Sequence, residues 1–415
     1  MNQRRVVVTG IGTINPLGDN ISEYFANLEK GVSAAAPITR FDARNFKTRF
    51  ACEIKNYDWA RYFDRKEVRK YDRYAQYAMI AVAEAMQDSA LEVVEDEADR
   101  IGVIWSTGVG GLGSFFEEVM DYAAGDGTPR FSPFFVPRMI PDLAAGYISI
   151  KYGLKGPNYC VMSACASANH GMISALDQIR CGRADVIVTG GSEAMINIPS
   201  IGGFNSMMAL STRNDSPATA SRPFDKNRDG FVVGEGAGAL ILEEYEHAKA
   251  RGAKIYCELV GVGMSADAHH MTAPHPEGQG ALKSMKDALD EAGLSTADID
   301  YINVHGTSTP LGDIAEIKAI EHLFGEDAYA INISSTKSMT GHLLGAAAAI
   351  EALACICAIE RGVVPPTINV EEVDPEIDPK LNLTLGEAQY REVRTAMSNT
   401  FGFGGHNSTV IFRKL

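Results

Sequence analysis

Cys165 is the residue of this chain whose type and surroundings best suit nucleophilic chemistry. It lies in VMSACASANHG, residues 161–171, where a strand-like apolar run stops and a helix-forming run of small residues begins. A helix N-terminus favours a nearby anion by about 0.3–1 kcal/mol, whereas full ionisation of a free thiol at neutral pH needs roughly 2 kcal/mol. The pattern therefore predicts a reactive cysteine that needs a second partner. A small core cysteine is the alternative.

Two histidines are candidate partners for this thiol. His305 in YINVHGTSTPLGD and His342 in SSTKSMTGHLLGA each follow an apolar strand and lie among small residues. One such histidine is more often a turn residue than a catalyst, but two in matching contexts favour a shared catalytic pocket. Lys337 adds a cation beside His342. A buried Lys337 would need a carboxylate such as Glu351 or Glu316, and a solvated surface lysine is the alternative.

Other glycine- and histidine-rich segments carry weaker signals. NTFGFGGHN places three glycines around Phe403, which allows close backbone approach to a reacting group but also fits a sheet-edge turn. GVGGLG at 108–113 lacks the helix, strand and acid of a dinucleotide site, and RDGFVVGEGAG at 228–238 lacks the Lys-Ser/Thr of a phosphate loop. We interpret the latter as a structural lead-in to a strand. The loop histidines at 269–275 fit no standard zinc spacing, so we expect no metal site.

The composition restricts the class of protein. The 415 residues are 46% hydrophobic and 22% charged, which suffices for two or more core-forming units. A net charge of −15 disfavours binding to nucleic acid or to anionic membranes. Seven cysteines without a paired framework fit a reducing compartment, and neither a signal-peptide core nor an 18-residue apolar stretch is present. We expect a soluble, cytoplasmic protein without disulfides.

Strand and helix patterns alternate along the chain, which predicts an α/β fold with strands covered on both faces. Apolar, β-branched runs predict strands at 5–9, 101–105, 159–162, 186–188, 239–242, 256–260, 301–304, 331–334, 396–399 and 408–412. Helical patterns occupy 75–89, 168–180, 280–292, 313–324 and 343–361. Segments 125–141, 197–217 and 271–280, rich in proline and glycine, are interpreted as long loops.

The two halves of the chain show a weak internal repeat. VMSACASANHG aligns with ISSTKSMTGHL, which places Cys165 opposite Lys337 and His170 opposite His342 at a constant separation of 172 residues. This predicts a duplicated strand-turn-helix architecture with halves at 1–252 and 253–415, whose equivalent turns face one pocket.

Taken together, six segments resemble motifs of the elongating β-ketoacyl-[acyl carrier protein] synthases of the thiolase superfamily, in particular their type II members. In chain order they are RVVVTGIGTINPLG, ACASANHG, SRPFDKNRDGFVVGEGAG, VHGTSTPLGD, STKSMTGHLLGAAAAIEA and NTFGFGGHN, and they span essentially the whole sequence. His342 argues against the initiating synthases, which have asparagine there, and against thiolases, which use a second cysteine. His406 is a departure, since many bacterial members have threonine. The resemblance implies a thiolase-like five-layer αβαβα fold made of two duplicated halves, in a homodimer.

The resemblance also implies an acyltransferase that elongates fatty acyl chains by two carbons. Cys165 would carry the acyl group as a thioester, with its own backbone N–H and that of Phe403 forming the oxyanion hole. His305 and His342 would bind the malonyl thioester oxygen as carbon dioxide leaves. Lys337 would orient the histidine region.

The resemblance also implies substrate-binding and supporting roles for other residues. Substrate-binding positions would be Thr307, Thr309, Val109, His270 and Gly402. Structural support would come from the carboxylates Glu351, Asp313 and Glu316.

Substrates would arrive on the phosphopantetheine arm of acyl carrier protein, with no permanently bound cofactor. A docking face for this acidic partner is predicted where three cations fall at i, i+3 and i+4 of a helical pattern, although an ordinary solvated face is the alternative. The three cations are Lys66, Arg69 and Lys70. A ketosynthase of a polyketide or aryl-polyene pathway is a second interpretation. A non-catalytic chain-length-factor subunit is a third, which Cys165 and its partners oppose.

Overall fold

The computed structural model describes residues 4–415, so residues 1–3 of the predicted first half lie outside the described part. The strands are β1 Val6–Ile14, β2 Ala36–Pro37, β3 Phe50–Ala51, β4 Ile101–Ser106, β5 Asn158–Val161, β6 Val186–Glu193, β7 Gly236–Glu244, β8 Cys257–Ala266, β9 Tyr301–Asn303, β10 Asn332–Ser334, β11 Val363–Val364, β12 Gln389–Tyr390, β13 Thr395–Gly402 and β14 His406–Arg413.

The helices alternate with these strands. They are α1 Ile21–Glu29, α2 Arg65–Val68, α3 Arg73–Ser89, α4 Leu112–Ala124, α5 Phe135–Met139, α6 Leu143–Tyr152, α7 Ser167–Arg180, α8 Ile198–Ser206, α9 Tyr245–Ala250, α10 Gln279–Ala292, α11 Pro310–Phe324, α12 Lys337–Thr340 and α13 Ala347–Arg361.

A ten-stranded mixed sheet shows the duplication directly. Its order is β10-β9-β13-β14-β8-β1-β7-β6-β4-β5, and each run of five outward from the central β1–β8 junction has the same pattern of two antiparallel and two parallel pairings. The junction itself consists of a short antiparallel pairing of Val7 with Glu258 and Val8 with Cys257. All ten predicted strands overlap a strand of this sheet. The exact boundary between residues 252 and 253, which falls between α9 and β8, stays a prediction.

Helices cover both faces of each half, which confirms the five-layer arrangement. Helix α3 packs on β1, β6 and β7, and α10 packs in the equivalent way on β8, β13 and β14. Between the halves lie α7 and α13, which contact each other and strands of both halves. Residues 347–359 of α13 are all buried, as expected of a helix whose apolar side chains extend around its whole circumference.

Small residues allow the central helices to approach the strands closely. Ala168, Ala348 and Ala349 form one buried cluster between α7 and α13. A Cβ atom added to Gly238 of β7 would lie 2.9 Å from the Ala349 carbonyl carbon. A larger side chain at that strand position would therefore push the central layer away from the sheet.

Two sequence predictions need correction. Segments 125–141 and 197–217 contain α5 and α8, because Asn197 caps α8 through its side chain and a proline in the first turn of a helix loses no hydrogen bond. The repeat is also not at a constant spacing. Lys337 begins the short helix α12, so α13 starts eight residues later than a separation of 172 from α7 would place it.

Candidate active site

A cavity of about 460 Å³ opens between the two halves. The first half contributes Cys165 and Phe231 to its lining, and the second contributes His305, His342 and Phe403. The candidate nucleophile and both candidate bases therefore share one pocket, as the internal repeat predicts.

Cys165 lies at the tight turn between β5 and α7. The preceding Ala164 has a φ of +52°, a conformation that non-glycine residues rarely adopt. The Cys165 side chain is 8% exposed, and burial raises the pKa of its thiol to about 11, although Lys337 and a hydrogen bond from the Phe403 backbone act in the opposite direction. Desolvation therefore opposes ionisation of this thiol more strongly than the helix terminus favours it, which agrees with the prediction that Cys165 needs a second partner.

His342 is the immediate partner of this thiol. Its Nε2 lies 3.0 Å from the Cys165 Sγ. Burial, followed by the charge of Lys337, holds the pKa of His342 well below its ordinary value. The backbone N–H of His342 donates to the Val232 carbonyl at 2.7 Å, which fixes the main chain that carries the ring. A neutral imidazole at this distance can accept the thiol proton as the sulfur attacks.

His305 completes the pair of imidazoles. Its ring centroid lies 5.3 Å from that of His342, and burial also lowers its pKa well below the ordinary value. The Glu316 carboxylate accepts the backbone N–H groups of His305 and Gly306, both at 2.9 Å. Glu316 therefore fixes the backbone turn that carries His305, and its role in support of catalysis stays a prediction.

Lys337 forms a buried ion pair with Glu351 of α13. Both side chains are 1% exposed, and the Lys337 Nζ is hydrogen-bonded to a Glu351 oxygen. The alternative of a solvated surface lysine is thereby excluded. Burial, and after it this ammonium group, lowers the pKa of both His305 and His342, which favours their neutral forms.

The glycine-rich turn after β13 approaches the cysteine turn. A Cβ atom on Gly402 would lie 3.0 Å from the Ser163 carbonyl oxygen and 3.1 Å from the Cys165 backbone nitrogen. The Phe403 backbone N–H donates a hydrogen bond to the Cys165 side chain, which lowers the pKa of the thiol. A side chain at position 402 would crowd the Cys165 backbone N–H, so the two turns approach each other this closely only with glycine there.

Thr307 and Thr309 line the same cavity. Their Oγ1 atoms are 3.0 Å apart. The buried Asp313 carboxylate accepts the backbone N–H of Ser308, which has a φ of +69°, at 3.1 Å. Asp313 thus holds the loop that presents the two hydroxyl groups.

Other predicted positions divide into one inside the cavity and four outside it. Val109 lines the cavity and is 38% exposed. His270 lies on the surface rather than in the cavity lining, and its Nδ1 accepts the backbone N–H groups of Thr272 and Ala273 at 3.1 Å. Its assignment to substrate binding stays a prediction, and only the Nδ1 atom is used by the turn. The four-residue helix α2 also ends before two of the predicted docking cations, so the predicted single helix face is not formed, although all three are exposed: Lys66, Arg69 and Lys70.

Three site residues escaped the sequence analysis. The Phe231 ring packs edge-on against His342 with centroids 5.4 Å apart, and the Phe401 ring lies 5.9 Å from that of His305. Phe231 belongs to the segment interpreted only as a strand lead-in. Glu193, at the end of β6, accepts from the backbone N–H of Gly108 at 2.7 Å and of Gly345 at 3.0 Å, and so joins the turn before Val109 to the segment after His342. A lone carboxylate in the run of small residues that follows the predicted strand 186–188 is the signal that could have identified it.

Replacing Glu193 with glutamine should reduce the fall in stability that occurs as pH rises. Burial raises the pKa of Glu193 from 4.5 to about 7, so the native state retains a proton that the unfolded chain releases. This contribution is fully present below pH 4.5 and is lost as pH rises through 7, an effect of about 3 kcal/mol. Thermal unfolding from pH 5 to 8 would test it. Parallel pH curves for the wild type and Glu193→Gln would contradict it.

Two other features concern the described residues as a whole. Among residues 4–415, no helix is both long and apolar enough to cross a membrane. Over the same range, no three His, Cys, Asp or Glu side chains converge as a metal site requires.

Sequence comparison identifies relatives along the full chain. The model of the β-ketoacyl synthase N-terminal domain matches residues 3–248, and that of the C-terminal domain matches residues 256–371. A Synechocystis protein named 3-oxoacyl-[acyl-carrier-protein] synthase 2 is 48% identical, covering 100% of this chain and 99% of its own length. A Coxiella burnetii protein of the same name is 46% identical over the full length of both chains.

Solved structures show the same fold. A β-ketoacyl synthase from Burkholderia phymatum superposes with a TM-score of 0.91 at 37% identity, covering 99% of this chain and 100% of the other. A type II polyketide ketosynthase, solved in complex with its acyl-carrier protein and bound to the hexaketide, gives 0.91 at 35% identity over 100% of both chains. The motifs, the duplicated fold and these full-length matches together show that the chain belongs to the β-ketoacyl synthase family.

Proposed function

We propose that this protein is an elongating 3-oxoacyl-[acyl-carrier-protein] synthase of type II, which condenses malonyl-carrier with an enzyme-bound acyl group. The observation that carries the proposal is the thiol–imidazole pair of Cys165 and His342, 3.0 Å apart, with His305 beside it in one cavity. The names of the full-length relatives support the same activity.

The first step transfers the acyl group to the enzyme. His342 takes the Cys165 proton as the sulfur attacks the thioester carbonyl of the acyl carrier. The resulting oxyanion is bound by the backbone N–H groups of Cys165 and Phe403, and one such donor typically contributes about 2.7–4 kcal/mol to barrier lowering. Collapse of the intermediate breaks the bond to the carrier sulfur, which leaves with the proton.

The second step makes the new carbon–carbon bond. His305 and His342, as neutral imidazoles, donate hydrogen bonds to the thioester oxygen of malonyl-carrier. The carboxylate leaves as carbon dioxide, and its bonding electrons form the enolate that attacks the acyl carbonyl. The bond to Cys165 breaks, and the thiolate takes up a proton. Decarboxylation supplies the carbanion, so the proposed chemistry needs no permanently bound cofactor.

The homodimer is part of the proposal. Strand β5 is the last strand of the sheet, and helix α4 exposes apolar side chains. These are Phe115, Val119, Met120 and Tyr122. A second copy that covers the apolar face of α4 would remove it from water. A cytoplasmic location fits the acidic net charge and the seven free cysteines.

One reaction tests the proposed function. Acyl-carriers of several lengths are incubated with the enzyme and malonyl-carrier, and adducts and products are identified by mass spectrometry. We expect a single acyl adduct on the protein and 3-oxoacyl products two carbons longer than each donor. Products extended by several unreduced units would instead favour a polyketide ketosynthase. No product at all would favour a non-catalytic subunit.

Replacing Val109 with phenylalanine should shorten the acyl chains that are accepted. The added ring occupies part of the cavity, and each excluded methylene group costs about 1–3 kcal/mol of discrimination. We expect kcat/KM for long acyl donors to fall at least about 10-fold relative to short ones. Val109→Ile is the matched control with a smaller change in volume. Unchanged product lengths for Val109→Phe would place the end of the acyl chain elsewhere.

Reversal of the three cations near α2 should weaken carrier docking. Glutamates in place of Lys66, Arg69 and Lys70 would repel an acidic carrier, so we expect KM for carrier-linked substrates to rise about 10-fold at low salt and less at high salt. Substrates on free pantetheine serve as the control, because they need no protein docking. A KM that is unaffected at every salt concentration would show that the carrier docks on another face.

A further inference from the structure

Two histidines outside the cavity lining link the cysteine turn to the glycine turn. His170 lies on α7, and its Nδ1 is hydrogen-bonded to the Ser163 Oγ at 2.6 Å. His406 begins β14, and its ring meets that of His170 edge-on with centroids 6.3 Å apart. Neither side chain lines the cavity, so neither touches the proposed reacting atoms.

His406 packs directly against the glycine turn. A Cβ atom on Gly404 would lie 2.9 Å from the His406 Nε2, so the ring occupies the space beside that residue. Gly404 has a φ of +89°, and His406 is paired in register with Gly402 across the turn. The position of the His406 ring therefore limits where the turn carrying Phe403 can lie.

His170 reaches the other side of the proposed oxyanion hole. Its partner Ser163 is two residues before Cys165, and the intervening Ala164 has a positive φ. The Ser163 backbone N–H also donates to the Ser167 Oγ at 2.9 Å. Both the side-chain hydroxyl and the backbone N–H of Ser163 are therefore hydrogen-bonded. Burial and the neighbouring His406 lower the pKa of His170 to about 4, which leaves an uncharged ring at neutral pH.

These contacts form a continuous path between turns from opposite halves of the chain, running from Gly404 through His406 and His170 to Ser163. We propose that His406 and His170 are positioning residues that set the Phe403 N–H against the Cys165 N–H so that both reach one oxygen. The inference rests on the proposed function, because it assigns these two donors to the oxyanion of acyl transfer.

The effect should appear in acyl transfer and not in the thiol itself. A displacement of about 1 Å in a catalytic group can cost 10²-fold in rate. We therefore expect His406→Ala to lower kcat for acylation of Cys165 by about 10- to 100-fold, with KM for the acyl-carrier unchanged. His406→Phe keeps a ring between Gly404 and His170 and should restore most of the rate. His170→Phe, which loses the Ser163 hydrogen bond, should lower kcat as His406→Ala does.

The experiment measures acylation of Cys165 by mass spectrometry in the wild type and the three variants. Alkylation by iodoacetamide, which forms no oxyanion, is the control and should proceed at the wild-type rate. Equal acylation rates for the wild type and His406→Ala would overturn the proposal. So would an equal loss of alkylation and acylation, or a His406→Phe variant as slow as His406→Ala. A wild-type protein that forms no acyl adduct would instead refute the proposed function, and the inference with it.

Discussion

Cys165→Ala should form no acyl adduct and no condensation product, while malonyl-carrier is still slowly decarboxylated. The substitution removes the only atom that can hold the acyl group in the proposed mechanism, and loss of an enzyme nucleophile can cost on the order of 10⁶-fold in kcat. His305 and His342 remain in place to stabilise the enolate, which takes up a proton and gives acetyl-carrier. Intact-protein mass spectrometry detects the adduct, and carbon dioxide release measures decarboxylation.

Cys181→Ala is the matched control for this experiment. Cys181 is exposed at the end of α7, and the same alanine substitution there leaves the Cys165 turn intact. It should give the wild-type adduct and wild-type turnover. An acyl adduct that persists on Cys165→Ala would assign the nucleophile to another residue. Loss of decarboxylation in the same variant would show that this step also depends on the sulfur.

Glu351→Gln should destabilise the protein more strongly than a surface substitution. Removing one partner of a buried ion pair leaves the other charge without compensation, which typically costs about 3–5 kcal/mol. Lys337 and Glu351 are each 1% exposed, so water cannot replace the lost partner. For a chain of this length, the loss corresponds to a fall in Tm of about 3–6 °C. Calorimetry would measure it, with the exposed pair Lys283 and Asp287 as the control.

A double variant separates stability from activity at this pair. Lys337→Met combined with Glu351→Leu replaces both charges by apolar groups, and such replacements are often neutral for stability. We expect Tm to recover. As the pH is lowered, we expect the rate of decarboxylation to begin to fall at a higher pH than in the wild type. The reason is that Lys337 lowers the pKa of His305 and His342, so without it both imidazoles become protonated sooner on acidification. An unshifted pH profile would show that Lys337 has no electrostatic effect on the histidines.

The strand pattern predicted the sheet but not the full length of the strands that reach the candidate active site. The prediction for β6 ends at residue 188, whereas the strand continues through buried polar residues to Glu193. The prediction for β13 ends at 399, but the strand extends to Gly402 and so carries Phe401 to the site. Apolar periodicity stops where side chains turn from the core to a functional cavity, so it cannot detect these extensions.

The chemistry of Cys165 shows a second limit of the sequence. Residue types and spacing brought the thiol and both histidines into one pocket, because equivalent turns of a duplicated fold face each other. The protonation state of the thiol depends on how completely the folded halves exclude water, and local sequence carries no such information.

The central layer formed by α7 and α13 has a consequence for how this protein can change over time. Each of the two helices is packed from both sides, so a mutation in one must fit the strands of both halves. The alanine contacts between the two helices leave little space for larger side chains. Replacing one half with that of a distant homologue would therefore require compensating substitutions in the other half. We expect substitutions to accumulate in the outer helices and surface loops instead.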